Sequence, residues 1–104
     1  MVIYVDIDET VCDSPPLING KRDYTKAVPY NDRIEKINKL YEEGNTIVYW
    51  TARGTKLGGQ WFHLTYNQLT QWGAKFHELR LGKPYYDMFI DDKNINSEAF
   101  FNRD

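Results

Sequence analysis

The feature that most constrains this chain is an apolar run at its start that ends in closely spaced acids. Residues 2–7 are mostly β-branched. Asp6 interrupts this run and Asp8 follows it. Such a run predicts a strand buried on both faces in the middle of a parallel sheet. Residues two apart in a strand point to the same side, so both carboxylates should project at its carboxyl end, where open α/β sheets bind ligands. The alternative is that Asp6 begins a solvated loop and Asp8 caps a turn.

Length and composition set the class of protein. The chain has 104 residues, which predicts one domain over residues 1–104, and its hydrophobic fraction of 41% and charged fraction of 27% are those of ordinary globular proteins. The formal net charge of -2 gives no general attraction for nucleic acid or anionic membranes, so an anionic ligand needs a local cluster of cations. The charge therefore favours a small ligand over a long polyanion.

The number of cysteines and the hydropathy of the chain indicate the cellular compartment of the protein. Cys12 is the one cysteine, which excludes an internal disulfide and a cysteine-based zinc site and fits a reducing environment. Asp6 and Asp8 interrupt the first apolar run too early for a signal peptide, and no stretch is long enough to span a bilayer. These patterns predict a cytoplasmic protein without membrane association.

A long connection follows the first run. Residues 11–30 exceed an ordinary loop, and Asn19-Gly20 lies between two short extended arms, which predicts a two-residue hairpin over residues 17–22. We expect this hairpin to act as a flap over Asp6 and Asp8. Three basic residues would line its rim, or would simply be solvated loop charges: Lys21, Arg22 and Lys26.

The remaining pattern alternates helices and strands. We predict a helix from Pro29 to Glu43 capped by Asn31 or Asp32, and a buried strand over residues 46–50 that lies parallel to the first through a right-handed crossover. Gly58-Gly59 leads to a second helix over residues 60–72, whose sheet-facing stripe includes Phe62, Thr65 and Leu69. An edge strand over residues 75–81, a fourth strand over residues 87–90 and a short element over residues 95–104 complete the prediction.

Polar residues follow each predicted strand. Asp6 and Asp8 follow the first, Thr51 the second, Lys83 the edge strand, and Asp91-Asp92 the fourth. Thr51 to Gly54 offers a hydroxyl, the Arg53 guanidinium and backbone amides as an anion cradle, with Arg53 as a surface residue the alternative. Asp91-Asp92 has its own alternative as a cap for a helix over residues 97–101.

The charge balance of these groups points to a metal. Several carboxylates with one lysine do not neutralise one another, and Mg²⁺, a hard cation that prefers oxygen ligands, would relieve the repulsion. A cation, a hydroxyl, a lysine and a carboxylate nucleophile are what phosphoryl transfer through an aspartyl-phosphate needs.

These motifs resemble those of the haloacid dehalogenase (HAD) superfamily. Residues 6–10 are similar to its DxDxT signature, Thr51 to its second motif, Lys83 to its third and Asp91-Asp92 to its acidic fourth. The resemblance covers nearly the whole chain and implies an α/β, Rossmann-like three-layer sandwich with a central parallel sheet. Strand one would be central, with strands two and three on one side and strand four on the other.

The resemblance also implies roles for individual residues. Asp6 would be the nucleophile and Asp8 the general acid and base, with Thr51 and Lys83 binding the transferring phosphoryl. Mg²⁺ would be held by Asp6, the carbonyl of Asp8 and Asp91, with Asp92 in support. The substrate-binding set comprises Thr10, Ala52, Arg53 and Lys83.

The second Asp of the signature marks phosphatases and phosphotransferases within the superfamily. The hairpin is too short for a cap domain, so the chain is similar to capless members, including small phosphatases of capsule and sugar-nucleotide gene clusters and, more loosely, polynucleotide 3′-phosphatases. Sugar phosphates, nucleotides and 3′-phosphorylated oligonucleotides stay open as substrates. Glu9 departs from the pattern, since many members carry a small residue there.

Other functional classes share part of this pattern. A receiver domain also gathers acids, a Thr and a Lys around Mg²⁺, but its Lys comes near the end, whereas here Lys83 precedes Asp91-Asp92. A catalytically silent binding protein of the same fold is a further alternative. The capless site and the many aromatic residues make a homodimer a reasonable expectation.

Overall fold

The chain folds into a small α/β domain. The computed structural model describes residues 1–54 and 61–102. Its elements are β1 (Val2–Val5), β2 (Leu17–Ile18), β3 (Lys21–Arg22), a 3₁₀ turn (Tyr24–Lys26), α1 (Asn31–Glu42), β4 (Thr46–Trp50), α2 (Trp61–Gln71), β5 (Glu78–Arg80) and α3 (Ser97–Phe101). The predicted start of the second helix at Gln60, and Gly58-Gly59 before it, lie outside the described residues.

The main sheet is parallel and its strand order is β1-β4-β5. Val5 pairs with Tyr49, which in turn pairs with Leu79. Each strand is joined to the next by a helix, as parallel strands require. The predicted α/β, Rossmann-like fold class is confirmed.

The strand at the centre of the sheet is β4, not β1. Its residues Ile47, Val48 and Tyr49 are buried, as expected for a strand with a neighbour on each side. Val2 and Tyr4 of β1 are 67% and 49% exposed. The prediction that the first strand lies in the middle and is buried on both faces is therefore wrong, because β1 pairs along one edge only in the described part of the chain.

The core lies on one face of the sheet. Ile47 and Tyr49 alternate onto this face, where Ile34 and Ile37 of α1 and Leu69 of α2 pack against them. Both long helices thus cover the same side, as expected when successive right-handed crossovers advance in one direction. Phe62, predicted to face the sheet, is instead 43% exposed.

The hairpin forms as predicted. β2 and β3 pair antiparallel through Asn19 and Gly20, whose φ angles of 54° and 75° place both in the left-handed region of a type I′ turn. Asn tolerates this region better than most residues and Gly does so freely, which is why the pair specifies the turn.

The predicted fourth strand is absent from the described residues. Residues 87–90 form no regular element, and Met88 and Ile90 are 75% and 88% exposed. An apolar pattern makes a strand only when a neighbouring strand supplies hydrogen bonds, and no strand of the described residues pairs with this segment. The open edge of β1 and this segment instead line a cavity of about 840 Å³.

The helix starts also differ from the predicted caps. Tyr30, rather than Asn31 or Asp32, is the cap residue of α1, and its side chain makes no capping bond. Asn96 caps α3 by accepting a hydrogen bond from Glu98 N at 2.9 Å. Asp91 and Asp92 therefore do not cap that helix. In the described residues, no helix is long and apolar enough to cross a membrane.

Candidate active site at the carboxyl end of the sheet

Asp6 leaves β1 beside a lysine and a hydroxyl. Its Oδ1 lies 3.3 Å from Lys83 Nζ, and its Oδ2 accepts a hydrogen bond from Thr10 Oγ1 at 3.4 Å. Thr10 is held there by a tight turn that follows β1, in which Thr10 N donates to Ile7 O at 3.1 Å. The first signature residue, its threonine and the predicted lysine therefore meet at one point.

Backbone contacts hold Lys83 in this position. Lys83 N donates to Thr51 O at 3.1 Å, which ties the loop after β5 to the loop after β4. The ammonium lies 5.9 Å from the ring centroid of Trp50 and 5.6 Å from that of Tyr86, and only 15% of the side chain is exposed. Aromatic faces favour a cation at such distances, so the lysine is oriented before any ligand arrives.

The environment of Asp6 changes its pKa in opposite directions. Burial raises the pKa of the carboxyl above its ordinary value of 3.8, whereas the Lys83 ammonium and the Ile7 N–H lower it. The Asp8 carboxylate adds a smaller upward contribution. The net shift is upward, which shows that the neighbouring lysine offsets only part of the cost of burying this charge.

Asp8 has a different partner, the arginine that follows β4. Arg53 Nη2 donates to Asp8 Oδ1 at 2.9 Å and Arg53 Nε donates to Oδ2 at 3.0 Å, a two-point geometry. The Arg53 side chain is fully buried, whereas 20% of the Asp8 side chain is exposed. Cys12 Sγ also lies 3.5 Å from Asp8 Oδ1.

The guanidinium of Arg53 is enclosed by further contacts. Its Nη1 donates to Gln68 Oε1 at 2.6 Å and to Thr65 Oγ1 at 3.2 Å, both on α2. The ring of Tyr24 covers it at 4.6 Å. The alternative that Arg53 is a surface residue is ruled out. These intramolecular hydrogen bonds compete with its predicted role as a phosphate ligand.

Thr51 and Ala52 connect the end of β4 to Arg53. Thr51 is 1% exposed, and its hydroxyl accepts a hydrogen bond from Arg53 N at 3.0 Å. Ala52 is partly exposed next to it. The hydroxyl that was predicted to bind phosphate thus also shapes the turn that carries Arg53.

The two acids of the predicted fourth motif differ in their position relative to this centre. Asp91 lines the same cavity as Asp6, Thr10 and Lys83, and Asp92 is exposed beside it. Within residues 1–54 and 61–102, no group of three or more His, Cys, Asp or Glu side chains is placed to hold a metal ion. The arrangement brings Asp6, Thr10 and Lys83 together and ties Thr51 to Lys83 through the backbone, and Asp91 shares the cavity with them.

Sequence reasoning missed the residues that surround Arg53. Tyr24 comes from the 3₁₀ turn and Thr65 and Gln68 come from α2, and Gln68 also donates to Tyr24 O at 2.6 Å. The available signal was a polar pair three residues apart on the otherwise apolar stripe of α2. Such a pair, facing a core, requires a buried polar partner.

Comparison with known proteins supports the fold alone. No protein-family model matches the chain, and no curated protein matches it in sequence. The crystal structure of an MCSG target from Vibrio cholerae is similar, with a TM-score of 0.81 and 23% identity over 99% of this chain and 89% of that one. At 23% identity this similarity shows a shared fold over nearly the whole chain.

Proposed function

We propose that this protein is a magnesium-dependent phosphomonoester hydrolase of the capless haloacid dehalogenase type, with Asp6 as nucleophile. The contact of Asp6 with Lys83 and Thr10 at the carboxyl end of β1 carries the proposal. A carboxylate at the end of a strand, next to an oriented cation, suits attack on the phosphorus of a phosphoryl group whose negatively charged oxygens that cation also attracts. The order of the four motifs along the chain supports the same conclusion.

The reaction has two displacements. The Asp6 carboxylate attacks phosphorus in line with the leaving oxygen, forming an aspartyl-phosphate, and Asp8 protonates that oxygen as it departs. Asp8 then takes a proton from the water that hydrolyses the intermediate. Lys83 attracts the phosphoryl oxygens, and Thr51 orients the turn at the base of the site.

Magnesium would be held by Asp6, the carbonyl of Asp8 and Asp91, with Asp92 in support. The ion would neutralise charge on the transferring phosphoryl group. Asp6 and Asp91 line the same cavity, but in the described part of the chain these acids do not form a group placed to hold a metal ion, so binding would require them to approach one another.

Turnover separates this proposal from a receiver-like phosphate acceptor. We expect the wild-type protein with Mg²⁺ to release inorganic phosphate catalytically from an aryl phosphate or a sugar phosphate, and chelation to stop it. A receiver would accept one phosphoryl group at most from a small donor. A panel that includes nucleoside monophosphates and a 3′-phosphorylated oligonucleotide identifies the substrate class.

Substitution of the nucleophile tests the assignment. Asp6→Asn keeps the size of the side chain and removes the attacking carboxylate, so we expect phosphate release to fall to background. Asp32→Asn, the same chemical change on the exposed start of α1, is the matched control and should keep wild-type turnover. Activity of Asp6→Asn close to that of the control would refute the assignment.

A further inference from the structure

The buried arginine that follows β4 has a geometry unlike that of a phosphate ligand. A residue that binds a substrate anion needs donors directed at open space, but three donor nitrogens of Arg53 are directed at Asp8, Thr65 and Gln68. Its side chain is fully buried. Asp8, whose side chain is 20% exposed, links this buried arginine to the surface of the site.

We propose that Arg53 is a positioning residue, which acts on the reaction by holding the Asp8 carboxyl in the orientation that proton transfer needs. The proposal rests on the function inferred above. Two N–H bonds from one rigid guanidinium fix both the position of a carboxyl group and its rotation. A bond from one nitrogen would leave the rotation free.

The two oxygens of Asp8 are held unequally. Oδ1 accepts from Arg53 Nη2 and lies near Cys12 Sγ, whereas Oδ2 accepts from Arg53 Nε in the part of the chain that the structure describes. Each carboxylate oxygen has two lone-pair directions. Oδ2 is therefore the atom with a remaining direction for the proton that passes to the leaving oxygen and later comes from water.

The guanidinium is itself locked by elements on two sides. Gln68 of α2 accepts from Arg53 Nη1 and donates to Tyr24 O, so one amide joins the arginine to the turn that follows the hairpin. The Tyr24 ring covers the guanidinium and contacts Trp61 edge to face at 5.3 Å. The turn that follows the hairpin and α2 thus hold Asp8 indirectly, through Arg53.

A residue that acts through Asp8 differs from a substrate ligand in its dependence on the leaving group. Proton donation matters most when the leaving oxygen is strongly basic. Arg53→Met should therefore lower kcat for an alkyl phosphate by on the order of 10- to 100-fold, the range expected when a catalytic group is misplaced, and lower it far less for p-nitrophenyl phosphate. KM should change little for either substrate.

The test is a kinetic double-mutant cycle on both substrates with Mg²⁺. In an Asp8→Ala background Arg53→Met should have no further effect on kcat, because the group that it positions is gone. Gln68→Met keeps Arg53 and removes the hydrogen bond from Arg53 Nη1 to Gln68. It should show the same leaving-group dependence more weakly, and it replaces Arg53→Met as the test if that variant does not fold. Arg80→Met, which removes an exposed arginine on β5, is the control.

The outcomes are distinct. Equal slowing of both substrates, a raised KM, or losses that multiply with those of Asp8→Ala would overturn the positioning role and return Arg53 to the phosphate cradle. A wild-type protein that releases no phosphate from any substrate would instead refute the proposed function, and this inference with it.

Discussion

Breaking the Arg53–Asp8 pair should destabilise the fold, and the size of the loss should depend on whether the charge of the partner stays buried. Arg53→Met keeps most of the side-chain volume and removes the charge, leaving the Asp8 carboxylate without its two N–H donors. Removing one partner of a buried pair costs about 3–5 kcal/mol when the other charge stays buried. Because 20% of Asp8 is exposed, we place the loss at the lower end, about 3 kcal/mol.

This loss is measurable in a protein of this size. A loss of about 3 kcal/mol should lower Tm by on the order of 15 °C, and should lower the urea midpoint without changing the slope of the transition. The double variant Arg53→Met/Asp8→Leu should be more stable than Arg53→Met alone, since it has no orphaned charge. Breaking the exposed pair between Glu42 and Lys75 is the comparison and should show no such recovery. Additive losses in the Arg53–Asp8 cycle would refute the energetic reasoning.

Two further predictions concern the turn after β4 and the ionisation of the nucleophile. Gly54 and Gly73 have nearly equal φ angles of 78° and 79°, but a Cβ at Gly54 would collide with the Trp61 ring, whereas one at Gly73 would meet nothing within 4 Å. In urea unfolding, Gly73→Ala should lower the free energy of unfolding by about 1–2 kcal/mol because of its left-handed backbone, and Gly54→Ala should lower it clearly more. Equal losses in the two variants would contradict the close contact. Lys83 lowers the pKa of Asp6, so Lys83→Met should move the midpoint of the Asp6 titration to higher pH in an NMR titration of the metal-free protein, and an unchanged midpoint would contradict the ion pair. Since the pKa of Asp6 is raised above 3.8 on folding, its contribution to stability is largest below that pH and falls as pH rises through the folded-state pKa.

Local patterns in the sequence were sufficient where one segment determines its own structure. Asn19-Gly20 specifies its turn through backbone preferences. Residues 46–50 form an almost continuous apolar run, which is typical of a strand that is covered on both faces, as β4 is. The partner of β1 was not readable in the same way. An apolar strand pattern does not say which neighbours it will have, and residues 87–90 satisfy the pattern without pairing.

The candidate site was predictable in its acids and lysine, but the environment of Arg53 was not. The strand ends placed Asp6 and Lys83 at one edge of the sheet, and the structure joins them at 3.3 Å. Arg53 bonds to Asp8 across 45 residues of sequence. Its burial depends on α2 and the turn after the hairpin closing over it, which no local spacing encodes.

Chemical trapping of the covalent intermediate tests the central claim most directly. Borohydride reduces an acyl phosphate to an alcohol, so an aspartyl-phosphate trapped during turnover becomes homoserine, which peptide mass spectrometry locates along the chain. We expect homoserine at position 6 when substrate and Mg²⁺ are both present, and none when either is omitted. Phosphate release that continues while position 6 stays unmodified, or homoserine at another aspartate, would contradict the account.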